Sequence, residues 1–196
     1  MEVLIRSTFD DSRVIFAGPF PKRHIRVLMF VVLSTGALCA PAATQDNNRV
    51  SNFIRDALDT RGREIVAATA DMPADKFSVK LVPEGMTFAQ FTLHVAAANY
   101  LYCSKIGAVP EPALASIGDT EPKDRLLDRL KSSFDFCAAA LAKLDDSNKS
   151  EVLTLGETKT SRAMAILTLS STWADHFAQQ GDYLQAAGRI PATARK

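Results

Sequence analysis

Two imidazoles, His94 and His176, are the groups in this chain most suited to chemistry. A neutral imidazole can hold a metal, take a proton or contact a ligand. The competing reading is a core ring satisfied by a polar neighbour. The only other histidine, His24, sits far upstream in what reads as a leader. Thr172, His176, Gln179 and Tyr183 follow one another at i, i+4, i+7 and i+11, so on a helix they fall along one line. Polar groups in a row beside an apolar stripe are where a helix bundle builds a site. Asn99, about a turn and a half beyond His94, is placed to reach the same cavity. Tyr183 reads more readily as packing than as chemistry. Gln179 reads either as lining or as a solvent-facing amide.

These residues need long helices to position them. The stretch from Ser161 to Pro191 is free of Pro until its end and free of Gly until Gly181. Ala163, Ile166, Leu167, Ser170, Trp173, Ala174, Phe177 and Leu184 recur there at three- and four-residue steps, which predicts one buried stripe. Gly188 then Pro191 is a helix stop. A first helix is predicted over 47–70, ended by Asp71-Met72-Pro73, with Gly62 as a weak point. The connector that follows is predicted to be extended, since 77–81 alternates without a partner run. Thr87 and Gln90 form a capping box, with Met86 and Phe91 as its hydrophobic staple, and open a second helix. His94 shares the predicted face of Phe91, Val95 and Ala98, pointing inward. A third helix opens near Pro122, with Leu127, Leu130, Phe134, Cys137, Leu141 and Leu144 as a bundle seam. The link 151–160 reads as irregular, with one extended piece at 152–155. Four amphipathic helices joined by sizeable connectors predict an all-α four-helix bundle over 43–196.

Residues 1–42 read as a leader including a signal peptide. Lys22 to Arg26 is basic, Val27 to Leu38 is apolar, and Ala40-Pro41-Ala42 offers a small-residue cleavage site. The apolar run is short of the roughly twenty residues of a membrane span. Export to the periplasm or beyond is therefore expected, with no membrane association once the leader is removed. The whole chain carries a formal charge of +1; without the leader's five basic and three acidic residues, 18 basic face 19 acidic, a net −1. A near-neutral domain lacks the basic footprint of nucleic-acid binding, so no nucleic-acid partner is expected. In an oxidising compartment Cys103 and Cys137 are open to a disulfide, although two buried thiols fit the sequence equally well.

The order and spacing of three phrases resemble the DinB-like superfamily of four-helix bundles. They are Met72-Pro73-Ala74-Asp75-Lys76-Phe77, Thr87-Phe88-Ala89-Gln90-Phe91-Thr92-Leu93-His94-Val95-Ala96, and His176-Phe177-Ala178-Gln179 running on to Tyr183-Leu184-Gln185-Ala186-Ala187-Gly188-Arg189-Ile190-Pro191. The resemblance implies a divalent metal (zinc, nickel or manganese) on three histidines, with His94 as the first ligand and His176 as the last. The third family position, four residues before His176, is Thr172 here, which leaves the implied metal site incomplete. Catalytic zinc uses three protein ligands and an open position, and a neutral hydroxyl replaces imidazole poorly. Glu64, Asp71 and Asp175 are the carboxylates weighed as substitutes. Two functions follow as expectations. One is a ligand-binding or structural bundle with a degenerate site, taking a small molecule or pairing with a second copy through an apolar helix face. The other is a metal-dependent, thiol-linked transferase or hydrolase using His94 and His176.

Overall fold

The second helix begins where its capping signal places it. In a computed structural model that describes residues 47–190, Thr87 Oγ1 accepts from the Gln90 amide and Gln90 Oε1 accepts from Thr87 N–H. The helix so opened is α2, Phe88–Ile106; it follows α1, Arg49–Asp71, and precedes α3, Lys123–Leu141, and α4, Arg162–Ala186. The leader, its cleavage site and Pro191 lie outside the described residues. The other orphan N–H groups of the first turn of α2 are met from upstream: Phe88 donates to Val79 O and Ala89 to Phe77 O, both at 2.9 Å. The alternating 77–81 segment thus has a partner after all. It leaves a one-turn 3₁₀ helix at Ala74–Lys76, makes a single antiparallel bridge from Lys80 to Thr87, and buries Phe77.

Side-chain contacts set the order of the helices. Arg61 lies over Phe177, Gln180 bonds Thr69 and Ile65, and Arg189 pairs with Asp71, so α1 and α4 run parallel. Asn99 meets Ser133, Cys103 meets Cys137, and Gly107 lies against Ala140, so α2 and α3 run parallel as well. Trp173 bonds Asn99 and Tyr183 packs on Phe88, which sets α4 antiparallel to α2. The bundle is therefore up-down-down-up. Its α2–α3 connection must return the full length of the molecule.

Two expectations about local structure change. The link before α4 is a hairpin rather than an irregular segment: β1, Val152–Leu155, pairs antiparallel with β2, Thr158–Ser161, with Leu153 opposite Thr160. Gly156 turns it at φ +59°, the first central position that a two-residue II′-type turn leaves to glycine. Leu153 is buried against the core. The stripe of α4 is also rotated. Its buried residues are Arg162, Ala165, Ile166, Leu169, Trp173, His176, Gln180, Tyr183 and Leu184, while Leu167 and Met164 are about half exposed at 51% and 53%. A helix with apolar residues on two faces, and Arg, His and Gln on the buried one, misleads a reading by polarity. Gly62, which reads as a weak point, is where α1 and α3 approach: a Cβ there would sit 3.1 Å from Phe134 Cδ1.

Candidate functional site

α2 and α4 bring the two imidazoles together. The rings of His94 and His176 lie 5.3 Å apart, centroid to centroid, edge to face. They differ in surroundings. His176 is buried, with the Phe91 ring 5.3 Å away edge to face, and its Nδ1 has no hydrogen-bond partner. Burial lowers its pKa to about 4, helped by His94 and opposed by Asp175, so it is neutral near pH 7. His94, expected to point inward, is exposed. The buried arc of α2 runs through Phe88, Thr92, Val95, Ala96, Asn99 and Cys103, and position 94 falls outside it.

An ion would find one suitable atom here, the buried and unpartnered Nδ1 of His176. The rest of the donor set does not fit. Among the described residues no group of three or more His, Cys, Asp or Glu side chains could hold a metal. Thr172 is half-buried a turn before His176. Glu64 is bound to Arg61 at 2.7 Å, and Asp71 lies 3.6 Å from Arg189. Two imidazoles, one of them in solvent, fall short of the three ligands a catalytic zinc needs.

The other candidates take structural places. Asn99 is 1% exposed; its Nδ2 donates to Ser133 Oγ at 3.0 Å and its Oδ1 accepts from Trp173 Nε1 at 2.7 Å, tying α2, α3 and α4 together. Gln179 is exposed, and the buried amide is its neighbour Gln180, which donates to Thr69 Oγ1 at 2.7 Å. Tyr183 donates to Met86 O at 2.8 Å between the rings of Phe88 and Phe91. Cys103 and Cys137 are joined as a disulfide with Cα atoms 5.1 Å apart.

Three cavities lie away from the pair. A cavity of about 310 Å³ sits between α2, the start of α3 and the α2–α3 crossover; one of about 300 Å³ lies between α1 and α3; one of about 120 Å³ lies beside Arg162. Neither histidine lines any of these three. Nothing in the spacing of Arg129 and Tyr100, which line the first, marks them in the sequence, because a long irregular crossover brings their partners.

With this geometry in hand, the molecule is similar to the crystal structure of a DinB-like protein, YjoA, from Bacillus subtilis. The likeness has a TM-score of 0.60 at 14% identity and covers 74% of this chain and 99% of that one. No protein-family model and no curated protein matches the sequence. At that identity the likeness carries the fold: a DinB-like four-helix bundle.

Proposed function

We propose that this chain is an exported member of the DinB-like group that binds a small molecule and does not carry out three-histidine metal chemistry. The observation behind this reading is the company of His176: a buried neutral imidazole beside the exposed His94, with no group of three His, Cys, Asp or Glu side chains among the described residues able to hold a metal. The sequence of residues 22–42 and the Cys103–Cys137 bridge both support an oxidising compartment outside the cytoplasm. Phe53, Met164 and Leu167 are exposed apolar side chains of α1 and α4 that a second copy could cover.

The alternative, a metal-dependent thiol-linked transferase or hydrolase, draws its support from the unpartnered Nδ1 of His176. Metal analysis of the untagged protein separates the two. Our reading expects substoichiometric zinc, nickel and manganese, with uptake of added zinc no different in the His94→Ala/His176→Ala variant. One tightly held ion per chain, lost in that variant, would sink it.

A further inference from the structure

The α2–α3 crossover does more than connect. It returns along the outside of those two helices and roofs the 310 Å³ cavity, whose size lies at the lower end of small-ligand sites. Leu93, Ala96 and Ala97 of α2 with Leu114 and Ile117 of the crossover make apolar walls, and three polar side chains converge on them: Tyr100, Glu111 and Arg129.

The state of those three groups points to a ligand. Tyr100 packs its ring among buried residues and lines the cavity, where no described residue bonds its hydroxyl. Arg129 donates from Nη2 to Ala115 O at 2.8 Å, an exposed bond to the roof, and among the described residues its other N–H groups have no hydrogen-bond acceptor. Glu111 lines the same cavity, but among the described residues no ion pair joins it to Arg129. Glu111, exposed at the mouth, and the half-buried Arg129 leave this cavity one anion and one cation with which to meet complementary groups on a ligand.

We propose that this cavity binds a small organic acid with an apolar body and a second, hydrogen-bond-donating group. Its carboxylate is held by Arg129 and the Tyr100 hydroxyl, its body by Leu93, Ala96, Leu114 and Ile117, and its donor by Glu111. The fork of Arg129 suits a planar carboxylate, and that charge-assisted pairing separates an acid from its neutral amide. The site shares no lining residue with the imidazole pair, so the two stand or fall independently.

The probe is 3-(4-hydroxyphenyl)propionate, titrated by calorimetry into the purified full-length chain beside its primary amide, a comparison that needs no variant. We expect saturable binding of the acid, at least about tenfold tighter than the amide. Arg129→Gln is expected to abolish that preference while keeping the amide affinity. Ala97→Phe, on the rim, should block both compounds, and His94→Ala/His176→Ala should bind both as the unaltered chain does. Absence of saturable binding up to about 5 mM, equal affinity for acid and amide, or an acid preference that survives Arg129→Gln would each overturn the assignment. Loss of binding in the histidine variant would move the ligand to the imidazole pair and overturn it too.

Discussion

His176 carries a cost that should be visible in acid. Its folded pKa of about 4 lies below the ordinary 6.5, so on acidification the unfolded chain takes the proton first. Stability is then unaffected above about pH 6.5, falls as pH drops from there toward 4, and levels off below, with a total on the order of 2 kcal/mol after allowance for the solvated side of the pair. Melting temperature against pH should show that slope, and His176→Gln should flatten it. A slope unchanged in the variant would place the titration elsewhere. Asp146 acts in a lower window. Burial would raise its pKa, but the Ser51 hydroxyl and the N–H groups of Val50 and Ser51 outweigh that and hold it below 3.8. Its contribution is therefore complete at neutral pH and disappears only as pH falls through that lowered value. The two histidines could be picked from residue type alone, but their burial could not. Which of two apolar faces a helix buries depends on its neighbours, and so Gln179 stood in for Gln180.

Among the elements, α1 and α2 were easiest to place, because their signals are local: a stop at Met72-Pro73, a capping box at Thr87 and Gln90. The hairpin was hard to see, since four-residue strands with one buried leucine carry little periodicity. Besides the Asn99–Ser133 bond, two close contacts hold α2 parallel to α3. At Gly107 a Cβ would come within 2.4 Å of Ala140 O, a backbone atom that cannot swing away. Gly107→Ala should therefore destabilise the bundle by about 1–3 kcal/mol in urea titration, as overpacking does; a neutral result would mean that the helix ends separate freely. At Cys103 and Cys137, with 34 residues of sequence separation, the bridge restricts the unfolded chain. A Cys103→Ala/Cys137→Ala variant is expected to lose about 3–4 kcal/mol by the loop-entropy account. Equal urea midpoints for that variant and the oxidised protein would contradict this.

At the level of the whole molecule, fold class was open to reading because four long periodic segments leave few alternatives, and the similarity to YjoA agrees with it. The cavity under the α2–α3 crossover is hard to foresee: walls without periodicity leave no pattern to find. The two imidazoles come together, but among the described residues no group of three His, Cys, Asp or Glu side chains could hold a metal. The expected outcome for the whole protein is a melting temperature that zinc and chelator leave unchanged, since a bound ion would raise it by mass action. A clear upward shift at micromolar zinc would require a donor arrangement other than this one.

The cap of α1 comes from far along the chain. Asn48 makes no side-chain cap; instead the Asp146 carboxylate accepts from Val50 N at 2.9 Å, Ser51 N at 2.8 Å and Ser51 Oγ at 2.6 Å, while Asp146 N donates to Asn48 Oδ1. Truncation of that carboxylate in Asp146→Ala should cost about 1–2 kcal/mol, as loss of a helix cap does. It also sets an order of events. Among the described helices α1 is made first, yet Asp146, which accepts from its Val50 and Ser51 N–H groups, and Gln180, which donates to Thr69, emerge only later. Contacts of such long range are the slow ones in folding. In such a chain the last contacts of α1 close only once α4 has been made.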